Sequence, residues 1–347
     1  MSYDVAVVGT GDPDAEEGAA MAYNHATAYR EIESTELLAC ADLVPGRARA
    51  FASEYGIDAA NVFENYREML RETAPDVVSV CVPPAHHAEL VIGCAESGVP
   101  EAIHCEKPMA DTPGDARRMI AACEDAGVQL TFNHQRRFGT KWRRAKELLD
   151  DGAIGDLRRL EMAAPNLLDW GTHVVDLCHF YNDEHAAEWV LGALDYRDEQ
   201  VLFGEHNPNQ DLVLWSYENG VYGLASTGEA GDLVGCRPRL IGTDGRIEVD
   251  RQAGDEANLS IRRDGTWETL EADSTHQGEI TRALEHVVGC IGTAETPELS
   301  ADKALRATDV IFGAWESVRQ QRRVDLPLEI DDNPLEAMIE AGDLDPE

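Results

Sequence analysis

Residues 166–183 read NLLDWGTHVVDLCHFYND, with two histidines and three aspartates set into an apolar run. Asp169 and His173 stand four apart, the spacing that puts two side chains on one helix face if a helix begins near Asp169. Histidine, with an unperturbed pKa of about 6.5, suits the proton of a hydroxyl group. A carboxylate one turn away can set its tautomer and stabilise the imidazolium. Upstream, AIHCEKP (102–108) puts Lys107 at the end of an apolar run, where an ammonium would favour charge developing on an alkoxide. These are the parts needed to oxidise a secondary alcohol. Each has a plainer reading: Asp169 as a helix cap, His173 as a core histidine, Lys107 as a surface lysine. Asp176 and His179 extend the stripe and raise a metal site. Ligands spread over more than two turns of one straight helix cannot converge on one ion, and no H-E-x-x-H pair or cysteine cluster supplies a second element. No metal is therefore expected, and Asp176 and His179 are read as support.

The elements that must position these residues divide in style near residue 135. Residues 1–135 alternate apolar strand-like runs (YDVAVVG, TELLACAD, DVVSVCVP, AIHCEKP, VQLTFN) with helical stretches. Unbroken apolar strands separated by helices predict a parallel sheet covered on both faces. Residues 136–330 read as strands joined by turns, with hairpin signals at Asn219-Gly220, Asp244-Gly245 and Asp264-Gly265. That predicts an α+β domain with a large, mostly antiparallel open sheet. Its free face is expected to join copies of the chain into a dimer or tetramer. Helices are expected over about 278–289 and 301–320, the second capped by the Ser300 hydroxyl. Residues 331–347 read as a solvated acidic tail with one amphipathic turn.

The first strand ends in Gly9-Thr10-Gly11. In a dinucleotide-binding fold the first glycine permits a tight turn and the second lets the backbone approach a pyrophosphate at a helix N-terminus. The third glycine of that pattern is missing. Asp42 follows about ten residues later than the usual spacing of roughly 20, so DPDAEEG (12–18) reads as an inserted loop, with the helix starting near Gly18. Asp42 ends the second strand, where a carboxylate can accept hydrogen bonds from the ribose of NAD and would repel the 2′-phosphate of NADP. Arg47 and Arg49 nearby keep NADP open. His25 and His86 belong to no pattern that singles them out.

At HCEKPMADTPGDARRMI (104–120) the chain resembles the glucose–fructose oxidoreductase and inositol dehydrogenase (Gfo/Idh/MocA) family. VCVPPAHHAEL (80–90), DWGTH (169–173) and RRVDLPL (322–328) extend the resemblance over nearly the whole chain. It implies a Rossmann domain followed by the α+β domain, and a nicotinamide cofactor. Glu106, Lys107 and Pro108 match the family's E-K-P, with the lysine pointing at nicotinamide and substrate and a bond before the proline that is often cis. Pro83 and His87 match a segment lining the cofactor, and Asp169 and His173 match the acid/base pair. The implied activity is hydride transfer between NAD, or NADP, and a hydroxyl-bearing carbon of a sugar, sugar derivative or cyclic polyol. Two alternatives remain: a cofactor-binding sensor without turnover, and an enzyme that recycles its cofactor during elimination, epimerisation or glycoside cleavage.

Bulk properties narrow the setting. Among 347 residues, 66 are Asp or Glu and 29 Lys or Arg, a net charge of −37. Such a field repels phosphate backbones, so no nucleic-acid partner is expected. The excess resembles that of proteins from salt-accumulating cells, where self-repulsion is screened within about 3 Å at 1 M salt. No window has the apolar length of a membrane span, and MSYDVAVVG shows neither a basic region nor a cleavage site. Eight cysteines without a C-x-x-C pair read as buried free thiols. The expected setting is cytoplasmic.

Overall fold

The computed structural model describes residues 2–13, 20–250, 259–272 and 275–346. The chain forms two compact units: residues 1–110, 115–135 and 276–304, and residues 111–114, 136–275 and 305–347.

The first unit is built on strands β1 (Tyr3–Val8), β2 (Thr35–Ala41), β3 (Val62–Phe63), β4 (Val77–Val80), β5 (Ala102–Cys105) and β6 (Gln129–Phe132). All pairings are parallel, in the order β3-β2-β1-β4-β5-β6. Helices α1 (Met21–Glu31), α2 (Pro45–Tyr55), α3 (Tyr66–Thr73), α4 (His87–Glu96) and α5 (Pro113–Ala126) connect them. This is the doubly wound order of a dinucleotide-binding fold. The helix expected from Gly18 begins at Met21, and Gly18 lies outside the described residues.

In the second unit come α6 (Thr140–Asp150), β7 (Leu157–Ala164), α7 (Gly171–Tyr181), β8 (Ala187–Asp195), and the short β9 (Val201–Leu202) and β10 (Glu205–His206). They are followed by β11 (Gln210–Tyr217), β12 (Tyr222–Thr227), β13 (Arg239–Gly242), β14 (Gly245–Val249), β15 (Leu259–Arg263) and β16 (Thr266–Leu270). After α8 (His276–Cys290) and α9 (Ala301–Gln320), β17 (Val324–Asp325) and α10 (Pro334–Glu340) complete the chain. The nine-stranded sheet runs β16-β15-β14-β13-β7-β12-β11-β8-β17, antiparallel at every pairing except β7 with β12. Asp264 and Gly265 both take positive φ in the β15–β16 turn, as a two-residue hairpin requires.

Three features depart from the linear reading. Residues 276–304 belong to the first unit: Ile280, Leu284, Val288 and Ile291, one stripe of α8 and its end, pack with Val5, Ala28, Tyr29 and Ile32. The acidic tail is a docked helix, because Leu335 and Met338, three apart, enter the main core of the second unit. Asn333 caps it, its Oδ1 accepting from the backbone N–H of Leu335 at 3.0 Å. Ser300 precedes α9 as expected, but its hydroxyl is buried without a hydrogen-bond partner among the described residues.

Candidate active site

In the first unit the chemistry gathers at the carboxyl ends of the parallel strands. Gly9 has φ +82°, and a Cβ there would meet Val82 Cγ1 at 2.4 Å and the Cys81 carbonyl oxygen at 2.7 Å. Only glycine lets the turn after β1 pass this close to the turn after β4. Gly11 also has positive φ. Asp42 closes the loop: its Oδ2 accepts from Thr10 N (2.9 Å), Thr10 Oγ1 (3.0 Å) and Gly11 N (3.3 Å). Its Oδ1 accepts from Val44 N at 2.8 Å. The carboxylate expected to meet a ribose is therefore also the clasp of the glycine loop.

Glu106 leaves β5 and is almost fully buried. Its Oε1 accepts from His25 Nε2 at 2.8 Å and from Asn133 Nδ2 at 2.6 Å, while Oε2 accepts from the Lys107 backbone N–H at 3.2 Å. Burial would push the Glu106 carboxyl up, but the hydrogen bond and charge of His25, with Lys107 and Asn133, hold it at about 2. Burial would likewise lower His25, yet contact with Cys81 and Glu106 raises it to about 10. The pair is thus imidazolium and carboxylate. His25 Nδ1 reaches Ser79 Oγ at 2.7 Å, which ties α1 to β4. The Lys107–Pro108 peptide is cis. Lys107 thus leaves a backbone whose N–H is gripped by a carboxylate fixed from two other places, α1 and the end of β6.

Pro83 is exposed in the turn after β4, whereas His87, the first residue of α4, is fully buried. The His87 ring lies between two carbonyl oxygens, Val82 at 2.8 Å from Nε2 and Met109 at 3.2 Å from Nδ1. Burial lowers its pKa, against the two backbone carbonyls, which raise it. It braces the turn after β4 against the loop that follows Pro108.

In the second unit α7 carries the other candidates. Asp169 lies just ahead of the helix and His173 is in its first turn; both are buried. Asn166 ties the turn just ahead of the helix: its Oδ1 accepts from Asp169 N (2.9 Å) and Trp170 N (2.8 Å), and no side chain caps at Trp170, the N-cap residue. Asp176, one turn further along, is held bidentately by the buried Arg137, Nε to Oδ2 at 2.7 Å and Nη2 to Oδ1 at 2.8 Å. Arg137 also binds Glu184. His179 is buried edge-on to Tyr217, with ring centroids 5.3 Å apart, and burial lowers its pKa to about 4.

Three further groups come together among the described residues: His286, Cys290 and Glu295. His286 Nε2 already accepts from the backbone N–H of Glu298 at 3.0 Å, so the lone pair a metal would need is in use. Sequence reasoning missed His25, Asn133, Arg137 and Asn166. His25 did carry a signal: it is the one strongly polar side chain on a buried stripe with Ala22, Ala26 and Tyr29.

Comparison with known proteins bears on the chain as a whole. The D-apiose dehydrogenase of Paraburkholderia graminis is 25% identical, over 87% of this chain and 86% of its own length. The myo-inositol 2-dehydrogenase of Thermotoga maritima is 24% identical, over 87% and 94%. A D-xylose 1-dehydrogenase (NADP(+)) of Haloferax volcanii is 26% identical, over 84% and 92%. Among solved structures, an oxidoreductase from Agrobacterium radiobacter in complex with NAD+, L-tartaric acid and magnesium shares the fold with a TM-score of 0.77. It is 19% identical, over 94% of this chain and 98% of that one. No helix among the described residues is long and apolar enough to cross a membrane. Residues 3–134 match the oxidoreductase family's NAD-binding Rossmann fold and residues 131–326 its C-terminal alpha/beta domain, so the chain belongs to the Gfo/Idh/MocA family of oxidoreductases.

Proposed function

We propose that this NAD-binding oxidoreductase transfers a hydride between nicotinamide and a hydroxyl-bearing carbon of a sugar, sugar derivative or cyclic polyol. The observation that carries the reading is the buried His25–Glu106–Asn133 network gripping the backbone of Lys107. Such investment in one strand-end lysine fits a residue whose ammonium must be placed accurately. With the cofactor's pyrophosphate at the glycine loop, its nicotinamide would supply the hydride acceptor or donor. Gly9, Thr10, Gly11 and Asp42 hold its nucleotide, with NAD favoured by the Asp42 carboxylate and NADP not excluded by it. Pro83, His87, Glu106, Lys107 and Pro108 form the nicotinamide end. His173 takes the hydroxyl proton during oxidation and returns it during reduction. Asp169 sets the ring's tautomer and balances its positive charge, and Lys107 stabilises charge on the substrate oxygen. The names of the dehydrogenase relatives support a sugar or polyol as substrate.

The test is a panel of sugars and inositols followed by nicotinamide absorbance. Lys107→Met and His173→Asn should lose turnover while NAD binding, followed by fluorescence, survives. Full activity in both variants would sink the assignment.

The same reading includes self-association in a cytoplasmic setting, which the eight free thiols suit. The outer face of the nine-stranded sheet carries Trp189, Leu191, Leu212, Leu214, Tyr222 and Leu224 in adjoining register. Leu191, Leu212 and Tyr222 are each more than 40% exposed, a patch that suits a dimer or tetramer contact. Light scattering that returns a monomer would remove this part. The charge of −37 supports a salt-adapted protein, whose thermal midpoint should fall as salt is withdrawn.

A further inference from the structure

Cations are scarce in this chain, 29 against 66 acidic residues, and the buried ones are taken. Arg137 is held by Asp176 and Glu184. Arg239 binds Glu161 and Glu248, both at 2.7 Å. Arg237, two residues before Arg239, differs. It is only partly exposed, its Nε is buried without a hydrogen-bond partner, and no carboxylate pairs with it among the described residues. Its one side-chain contact of note is with Trp170: the guanidinium carbon lies 5.1 Å from the indole centroid. Arg136 lies over the same indole at 4.5 Å.

Trp170 is not a casual platform. Its backbone is tied to Asn166 at the start of α7, and its own φ and ψ are helical. It follows Asp169 directly and precedes His173 by three residues, so its side chain neighbours that of His173 on the helix surface. Through Trp170, Arg237 packs on the turn that leads from Asp169 into the first turn of α7, where His173 stands. A half-buried guanidinium with no counter-ion is costly unless something supplies one. In a field of −37, an anionic molecule also needs a local cation to settle there.

We propose that Arg237 binds a carboxylate of the substrate, so that the sugar or polyol oxidised here is a sugar acid. The planar guanidinium stacked on Trp170 keeps an edge of N–H donors for bidentate contact with a carboxylate. The inference rests on the dehydrogenase reading for the use of the site, though not for the binding itself.

The test compares charged and neutral partners of one skeleton at fixed ionic strength. D-gluconate, D-glucitol and D-glucose 6-phosphate are titrated into the NAD-loaded protein, followed by calorimetry and tryptophan fluorescence. Gluconate should bind at least about tenfold more tightly than glucitol, as one charge-assisted hydrogen-bonded contact provides. Arg237→Leu should erase that preference while leaving glucitol binding within about twofold, and Arg237→Lys should keep part of it. Equal binding of gluconate and glucitol by the unaltered protein would overturn the proposal, with no variant needed. So would a preference that survives Arg237→Leu, or binding of the phosphate ester alone. The same three compounds with nicotinamide absorbance separate the two readings. An Arg237-dependent preference without reduction of NAD by any of them counts against the dehydrogenase assignment and leaves the anion site standing. Reduction by glucitol as readily as by gluconate does the reverse.

Discussion

The two regions that carry the proposed chemistry are held in opposite ways. Lys107 stands at a strand end, and what fixes it comes from far along the chain: His25 lies 81 residues from Glu106, and Asn133 lies 27 away. His173 stands in the first turn of a helix, and what fixes the turn leading into it is local, with Asn166 accepting from N–H groups three and four residues on. One side depends on tertiary closure and a buried charge pair; the other depends on helix geometry and one side chain in the turn before the helix. A strand end offers no neighbouring turn to lean on, so its geometry must be borrowed from other elements. A helix brings its own.

The largest effect should come from the two reacting groups themselves. Lys107→Met is expected to lower kcat about 10³-fold, and His173→Asn by about 10²–10⁴-fold, both with NAD affinity little changed. A loss confined to one of them would leave the chemistry to one region alone.

Next comes the buried pair. His25→Leu leaves the Glu106 carboxylate buried without its cation and should cost about 3–5 kcal/mol in urea unfolding. It should also lower kcat, because the grip on the Lys107 backbone loosens. An unchanged kcat in the folded variant would reduce the network to a support of the fold alone. The pH dependence has a defined sign. Glu106 is depressed from 4.5 to about 2, so its contribution is present above 4.5 and is lost as the pH falls toward 2. His25 is raised from 6.5 to about 10, so its contribution is complete below 6.5 and is lost as the pH rises through 10. The stability difference between the native chain and His25→Leu should therefore be widest between 4.5 and 6.5. A difference that grows with alkalinity would contradict the ion pair.

The smallest effect belongs to the local side. Asn166→Ala removes the acceptor that ties the turn leading into α7 and should cost about 1 kcal/mol in thermal or urea unfolding. If it proves as damaging as His25→Leu, the contrast between local and long-range support fails.

Legibility follows the same divide. The Rossmann unit was readable because buried parallel strands are unbroken apolar runs and their connecting helices have their own period. Asp264-Gly265 was readable because few residue pairs accept two positive φ angles in succession. His173 was readable as helix-borne because helix periodicity acts over four residues, whereas Asp169, expected at the start of that helix, lies just ahead of it. What covers α1 was not: Ile280, Leu284 and Val288 announce an apolar stripe on α8 without saying where it docks. Nor was the docked tail, where acidic composition outweighed the pair Leu335 and Met338. The helix expected to begin near Asp169 begins at Gly171, after a turn tied by Asn166.

By itself the sequence determined the two kinds of sheet, the glycine loop, the strand-end lysine and the helix-borne histidine. Each follows from forces that act within a few residues: dihedral limits, side-chain periodicity and the hydrogen bonds of a turn. Only the tertiary structure decided which charges meet. It gave Glu106 to His25, Asp176 to Arg137 and Glu161 to Arg239, and left Arg237 over an indole with no carboxylate partner among the described residues. A charge finds its partner through space, across any length of chain, and composition alone says only that partners of one sign are in short supply.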